Sequence, residues 1–483
     1  MNYLMIFKSL GTLCYMEAAG MLIPLGVALL DGDSDALAFL LSALATAAVG
    51  LALSALRPRS TDIYAKDGFA IVGLGWLLIS VLGALPFLLS GATPSLVDAL
   101  FESTSGFTTT GATVLRTVET LTRGVALWRS LTLWMGGLGF LVLMLALLPG
   151  GARANTVHIM RAESPGPSPD KFVPKVGQVA KILYGIYLAI TAAVFLLLLL
   201  GGMGPFDAVI HALGTSSTGG FSNYNASMGA FDSAYVEGVI TVFMLLSGVN
   251  FTLYYALLKR NWRPVLRDEE LRLYMVIALV ATALVTLNLL DGGAFGDALR
   301  RASFQVAAFL STTGYTTVNF SAWPALSQFV LFLLTAFGAM AGSTGGGLKS
   351  VRLLILYKIV RREVGKLIHP RSVRTVTING KAVEESILSG VVIFFFLYIA
   401  LAAVGVLVLS ATDGKNLLST TLAVFASLNN TGPVSDLVET TGHCADFSVA
   451  GKLTLSLCMI VGRLEIYPVL LLCTPTFWRR VGA

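Results

Sequence analysis

SGFTTTGAT at residues 105–113 decides the fold, because the chain comes back to it three times. Its counterparts are TSSTGGFSN at 215–223, AFLSTTGYTT at 308–317 and SLNNTGPVS at 427–435. Aligned on Gly111, Gly220, Gly314 and Gly432, every copy has a Thr or a Gly just before that glycine. Phe101 and Phe304 stand ten positions before their glycines, and Asp98 and Asp207 thirteen before theirs. Each copy follows an amphipathic segment too short to cross a bilayer and lies between two strong apolar runs. The unit therefore reads helix, short re-entrant helix, polar loop, helix, four times over.

Composition puts these units in a membrane. Hydrophobic residues make up 55% of the 483 and charged residues 12%, against roughly 25% charged in soluble domains. Apolar runs of about the 20 residues that span a bilayer occur near 9–30, 36–56, 68–90, 127–148, 178–202, 236–257, 272–290, 325–341, 385–410 and 449–473, so about ten crossings are expected. The first run is too long, and too poor in a small-residue cleavage site, for a removable signal peptide, and reads as a retained helix. Basic residues gather in alternate loops, among them Arg57 and Arg59, the stretch 153–175, Lys259 to Arg272, Lys358 to Lys381, and Arg479 with Arg480. By the positive-inside rule these loops and the N-terminus are cytoplasmic, and the acidic DGDSD at 31–35 fits the opposite side. The net charge of +6 thus reports orientation and lipid-headgroup contact, with no nucleic-acid footprint.

Irregular backbone at membrane depth survives only where it is buried in protein or lines a water-filled cavity. Four loops of Thr hydroxyls and glycine-freed carbonyls supply a cage of oxygens able to replace the hydration shell of a monovalent cation. Asp98 and Asp207 are placed to cap the outer ends of the short helices, which leaves the partially negative C-terminal ends facing the cage. Enzymatic signatures are missing: there is no H-E-x-x-H, no G-x-S-x-G and no paired His and Asp, so the chain reads as a transporter and not an enzyme. His158, His211, His369 and His443 are isolated in sequence, and the four cysteines form neither metal-ligand spacing nor a disulfide framework. A Gly/Thr-rich helix-packing motif is the bland alternative for any one loop, and fourfold recurrence weighs against it.

AGSTGGGLKS at 341–350 is the other notable stretch. It misses the phosphate-binding pattern G-x-x-x-x-G-K-[ST] by one residue, with Leu348 inserted. A nucleotide-binding membrane sensor is the rival reading from another class. Such a loop needs a preceding strand in an aqueous α/β domain, whereas this stretch interrupts an apolar helix. Gly345, Gly346 and Gly347 together cannot hold a helix, at about 1 kcal/mol each relative to Ala, so the chain is expected to break there beside a cavity. Arg463, near the middle of the last apolar run, is an intramembrane charge and hence a functional candidate. Glu17 is intramembrane too, with packing or an oligomer edge as its reading. Ser247 and Asn250 read as interhelical hydrogen-bond formers, and Trp128, Trp134 and Trp478 as interface anchors or core.

The segments FESTSGFTTTGATVL (101–115), WRSLTLWMGGLGFLVL (128–143), RAESPGP (161–167), STTGYTT (311–317), AGSTGGGLKSVR (341–352), SLNNTGP (427–433) and GRLEIYPVL (462–470) resemble the Trk/Ktr/HKT superfamily of potassium transporters, and within it the bacterial TrkH type. The resemblance covers nearly the whole chain, and two apolar helices before the first repeat favour that type. It implies an all-α polytopic membrane protein with four M1–pore loop–M2 repeats in pseudo-fourfold arrangement around one pore, preceded by two extra transmembrane helices. The expected boundaries are 1–60 for the extra pair, then 61–152, 153–265, 266–365 with a broken M2 helix, and 366–483.

Carried onto this chain, the resemblance implies a potassium filter of Thr109, Thr110 and Gly111; Thr218, Gly219 and Gly220; Thr312, Thr313 and Gly314; and Asn430, Thr431 and Gly432. A serine in the first loop goes with sodium preference in plant relatives, so Gly111 implies potassium. Gly219, Asn430 and Pro433 break strict symmetry and imply one or two good ion sites. Gly342, Ser343, Thr344, Gly345, Gly346, Gly347 and Lys349 become an intramembrane gating loop, and Arg463 a charge projecting into the path beneath the filter. The implied setting is a homodimer in the bacterial inner membrane. A cytoplasmic TrkA-type subunit docks on the basic loops, and that partner, not this chain, binds NAD(H), ATP or ADP. No acidic proton relay is evident, which tilts towards a channel and leaves proton- or sodium-coupled symport open. A sodium-selective or unselective cation pathway is the rival within the class.

Overall fold

In hydrocarbon every backbone N–H and C=O must be satisfied within the segment, so the apolar runs have helix as their solution. The computed structural model describes residues 1–56, 63–139, 176–290, 294–372, 374–432 and 443–478. The basic stretch 153–175, Arg57, Arg59, Pro433, Arg479 and Arg480 lie outside the described residues.

An antiparallel pair comes first, α1 (Tyr3–Asp31) and α2 (Ala36–Ser54). Asn2 caps α1 through the Met5 N–H, and Gly32 at φ 71° ends it in the left-handed region. The two helices touch at Gly11 and Gly50, where a Cβ on Gly11 would lie 2.8 Å from the Gly50 carbonyl. Close approach through small residues is the usual route to helix pairing in lipid. Glu17 points into the chain's own packing, fully buried, so an outer oligomer edge is not its place.

The first repeat comprises α3 (Ala65–Leu82), α4 (Leu85–Leu89), the short helix α5 (Leu96–Phe107) and α6 (Arg123–Gly137). The second has α7 (Val176–Leu200), the short α8 (Pro205–Ser217), then α9 (Ala234–Ser247) and α10 (Phe251–Leu258), which meet at a 93° bend. After α11 (Trp262–Arg267), the third has α12 (Glu269–Asn288), the short α13 (Phe295–Leu310), α14 (Ala325–Phe337) and α15 (Ser350–Ile368). A hairpin follows, β1 (Thr377–Ile378) against β2 (Lys381–Ala382). Its turn residues Asn379 and Gly380 have φ of 51° and 77°, the left-handed pair that tight hairpins require. The fourth has α16 (Glu385–Asp413), the short α17 (Leu417–Asn429), α18 (Val449–Arg463) and α19 (Tyr467–Leu472), with α20 (Pro475–Trp478) at the end.

Packing closes the four units into a cycle. Each short helix lies against the second helix of the preceding repeat: α8 on α6, α13 on α9, α17 on α14, and α5 on α18. The architecture is thus four helix–short helix–helix repeats around one axis, preceded by two further helices.

Among the described residues six helices are long and apolar enough to cross a bilayer, or seven with the bent pair counted as one, against the ten apolar runs of the sequence. The difference lies in the second helix of each repeat. The expectation was a break in the third repeat, yet α6 stops at Gly137, α9 at Ser247, α14 at Phe337 and α18 at Arg463. At two of them a glycine lets the short helix close in: a Cβ on Gly136 or Gly462 would overlap the carbonyl of Phe107 or Leu428 at the end of its repeat's short helix. The three tryptophans serve the core: Trp128 donates to the Gly83 carbonyl at 3.1 Å, Trp134 stacks on Tyr187, and Trp478 donates to the Leu472 carbonyl at 2.8 Å.

Candidate ion pathway

The four short helices end in one backbone motif. Thr109, Thr218, Thr312 and Asn430 have φ of 56°, 55°, 63° and 52°, and two residues on Gly111, Gly220, Gly314 and Gly432 have 77°, 76°, 77° and 82°. Left-handed backbone is ordinary for Gly and tolerated by Asn, but strained for β-branched Thr, and such strain persists where the surroundings over-determine it. In the first, second and fourth loops a Schellman pair closes the helix. Thr110, Gly219 and Thr431 donate to the carbonyls of Ser105, Gly214 and Ala426, while Thr109, Thr218 and Asn430 donate to those of Gly106, Thr215 and Ser427. The third loop differs, with Gly314 donating to the Ala308 carbonyl at 3.1 Å.

The loops interlock in chain order. A Cβ on Gly111 would overlap the Gly219 carbonyl, one on Gly220 that of Thr313, and one on Gly314 that of Thr431; a Cβ on Gly432 would lie 2.9 Å from the Thr110 carbonyl. Each glycine thus admits the carbonyl of the residue before the next glycine, and the fourth loop closes on the first. Among the described residues no hydrogen bond reaches the carbonyls of Thr110, Gly219, Thr313 or Thr431. Buried carbonyls are almost always paired, so four open ones converging on one ring stand out as oxygens that a cation could take as ligands.

The Thr side chains also tie the loops to their surroundings. Thr110 Oγ1 accepts from Asn430 Nδ2 at 3.0 Å, tying loop four to loop one. Thr313 Oγ1 pairs with Ser311 Oγ at 2.7 Å. Thr312 Oγ1 accepts from the Gly346 N–H at 2.7 Å, and Thr218 Oγ1 lies 3.2 Å from Thr344 Oγ1.

A buried ion pair braces the ring. Arg129 on α6 meets Glu102 on α5 at 2.7 Å, with both side chains almost wholly enclosed. Glu102 also accepts from Thr113 Oγ1 at 3.0 Å and the Val114 N–H at 3.1 Å, while Arg129 donates to the Ser222 carbonyl at 3.2 Å and stacks over Phe221. The exit strands of loops one and two are thereby joined. His211, isolated in sequence, belongs to this support: Nε2 lies 2.9 Å from Ser222 Oγ and Nδ1 2.8 Å from the Asp207 carbonyl. Asp98 and Asp207 are not the caps the sequence implied. Ser95 and Gly204 hold the N-cap positions, and the two aspartates stand at the third helical position, where a carboxylate still complements the helix dipole.

Beneath the ring lies the glycine stretch. α14 ends on Gly338 at φ 69°, α15 starts after Lys349 at φ 70°, and a Cβ on Gly338 would sit 2.8 Å from Gly347 Cα. The chain between them touches the second, third and fourth repeats. Gly346 meets loop three through Thr312, and a Cβ on it would overlap the Asn429 carbonyl of repeat four. Thr344 Oγ1 donates to the carbonyls of Ser216 at 3.3 Å and Ser247 at 3.1 Å in repeat two. Arg463 Nη1 reaches the Thr344 carbonyl at 2.9 Å and Thr109 Oγ1 of loop one at 3.2 Å, and Nη2 donates to the carbonyls of Gly136 and Gly137. The guanidinium therefore lies between ring and glycine stretch.

Lys349 does more than mark the resumed helix: it is buried and its ammonium donates to the Gly345 carbonyl, closing the glycine turn on itself. Ser343 Oγ donates to the Met340 carbonyl at 2.6 Å, and Gly342 adjoins Asn250. Asn250 is a local cap for α10, accepting from the Thr252 N–H at 2.9 Å. Glu465, two residues from Arg463, pairs instead with Arg352 in the first turn of α15.

Cavities flank the ring on both sides. One of about 560 Å³ is lined by Gly111, Gly220, Gly314, Tyr224 and His443. One of about 130 Å³, opposite, is lined by Trp76, Gly345, Gly346, Lys349 and Arg463. Glu102 and Arg129 escaped the sequence reading although both lie inside quoted motifs. A charge within an apolar run is the signal that finds them.

Residues 37–479 match the TrkH family, described as a cation transport protein. The Trk system potassium uptake protein TrkH of Salmonella typhimurium is 38% identical over 492 residues, covering 99% of this chain and all of the relative. The Trk system potassium uptake protein TrkG of Escherichia coli is 34% identical over 479 residues, 97% of each chain. The crystal structure of the potassium transporter TrkH from Vibrio parahaemolyticus superposes with a TM-score of 0.90 at 35% identity, over 99% of this chain and 100% of that one.

Proposed function

The chain belongs to the TrkH family of cation transport proteins, and on that premise we propose that it takes up potassium across the bacterial inner membrane through the ring of four loops. The observation that carries this reading is the set of open carbonyls at Thr110, Gly219, Thr313 and Thr431, each admitted by a glycine of the neighbouring loop. An ion that sheds its water there exchanges one oxygen shell for another. The short helices present their C-terminal, partially negative ends to it. The filter is Thr109, Thr110, Gly111, Thr218, Gly219, Gly220, Thr312, Thr313, Gly314, Asn430, Thr431 and Gly432, with the Thr hydroxyls holding shape and the carbonyls holding the ion. Gly111 in the first loop favours potassium over sodium.

Gly342, Ser343, Thr344, Gly345, Gly346, Gly347 and Lys349 form the gate, which obstructs the path beneath the filter until it moves. Its contacts with Thr218, Thr312 and Arg463 support this, because one displacement of the stretch would release three repeats together. Arg463 adds an electrostatic barrier to cations. The chain works as a homodimer with its N-terminus in the cytoplasm, and a TrkA-type nucleotide-binding subunit on the cytoplasmic face moves the gate. The repeats run over 61–152, 153–265, 266–365 and 366–483, after the pair at 1–60.

Growth of a potassium-uptake-deficient strain at low potassium, with and without a co-expressed regulator, tests the reading. Rescue in either condition supports it, and rescue in neither overturns it. Uptake of rubidium against sodium in the same cells separates a potassium pathway from a sodium-selective or unselective one.

A further inference from the structure

The glycine stretch is also held from a helix outside the ring. Glu270, the second residue of α12, is buried, and its Oε1 accepts from the Ala341 N–H at 2.7 Å and the Val351 N–H at 3.1 Å. Ala341 precedes Gly342, and Val351 lies in the first turn of α15. Both flanks of the stretch thus converge on one carboxylate oxygen. α15 needs such a partner, since Lys349 at its N-cap offers no side-chain acceptor and the first N–H groups of a helix are otherwise orphaned. A carboxylate at that end also complements the dipole.

The position of Glu270 is set in turn by its neighbours in RDEEL (267–271). Asp268 caps α12 through the Leu271 N–H at 2.8 Å and accepts from Asn379 Nδ2 at 2.8 Å. Glu269 exchanges two hydrogen bonds with Asn379, its N–H donating to Oδ1 at 2.9 Å and its Oε1 accepting from the Asn379 N–H at 3.1 Å. Lys358 on α15 pairs with Glu269 and donates to the Thr377 carbonyl at 2.5 Å. The exposed hairpin tip, the start of α12 and the body of α15 therefore form one closed clasp, with Glu270 on its membrane side.

We propose that Glu270 is the positioning residue that holds the glycine stretch under the ring, and that the Asn379 clasp sets where this carboxylate stands. The inference rests on reading the stretch as the gate. With its two flanks released from a common anchor, the stretch has lost the restraint that keeps it against Thr312 and Arg463. A push on the exposed hairpin is transmitted to that anchor through Asp268 and Glu269.

Rubidium and sodium uptake into liposomes containing the full chain without any regulator tests the proposal. Glu270→Ala should raise rubidium uptake at least about tenfold, since it removes two charge-assisted bonds, with the rubidium-to-sodium ratio unchanged. Glu270→Gln, which keeps an acceptor in place, should return most of the way to wild type. Asn379→Ala, at an exposed position, should raise uptake in the same direction, and it carries the test if Glu270→Ala does not fold. Wild-type uptake in Glu270→Ala, or in Asn379→Ala where that variant carries the test, overturns the proposal. So does a changed ion ratio, which would mean that the ring itself had been damaged. Replacing Gly345, Gly346 and Gly347 with Ala in parallel separates the two levels. If that variant alters uptake while the Glu270 variants do not, the gate stands and the anchor falls; if none alters it, the gate reading itself falls.

Discussion

Arg463 Nη1 lies 2.9 Å from the Thr344 carbonyl, so this guanidinium is bonded to the glycine stretch beneath the ring. The same group reaches Thr109 of the first loop. Under the proposed function, barrier and gate are bonded to each other, and a shift of one should disturb the other.

Arg463→Gln should loosen that unit. A hydrogen bond to a charged group contributes about 1.5–3 kcal/mol, which corresponds to roughly a 10- to 100-fold change in the balance between obstructed and open states. Rubidium uptake without a regulator should rise, and its voltage dependence should weaken. Unchanged rate and voltage dependence in liposomes would sink the barrier.

Gly314→Ala should abolish selective uptake. Its φ of 77° is in the left-handed region and the added Cβ would overlap the Thr431 carbonyl, adding strain on the order of 1–3 kcal/mol and displacing an ion ligand. Gly238→Ala, on α9 with nothing within 4 Å of the added carbon, should leave uptake alone. Equal uptake in the two variants would contradict the assignment of the ring.

Replacing Gly345, Gly346 and Gly347 by Ala favours helix by about 1 kcal/mol each, and the added Cβ of Gly346 would strike the Asn429 carbonyl. The stretch should leave its seat, and uptake should lose its dependence on the regulator. A regulator response like that of wild type would mark the stretch as a passive kink.

Glu102→Ala leaves Arg129 buried without its carboxylate, a change of about 3–5 kcal/mol in comparable pairs. Thermal unfolding of the purified protein in detergent should occur several degrees lower. Glu102→Leu combined with Arg129→Met should recover part of the loss, and a double variant as unstable as the single one would show that the pair is not what braces the loops.

The sequence by itself determined the membrane class, the four units and the loop residues, because each is written locally. A hydrocarbon solvent imposes long apolar runs, and a helix that must end on a left-handed residue and then reach a glycine leaves the same Thr-x-Gly or Asn-x-Gly mark wherever it occurs. Arg463 was legible for a similar reason, as a charge in an apolar run. Only the tertiary structure gave the loop oxygens their partners: the Thr hydroxyls meet Asn430, Ser311, Gly346 and Thr344, while among the described residues no hydrogen bond reaches the four carbonyls. It also decided that α6, α9, α14 and α18 all stop short of a full span, and that Gly136 and Gly462 admit carbonyls from the short helix of their own repeat. Glu102 with Arg129, on successive helices of the first repeat, and Glu270 with Ala341 and Val351, across the third, are contacts between residues well separated in the chain. A local pattern states what a segment can do with its own backbone; it cannot say which distant group will be folded against it.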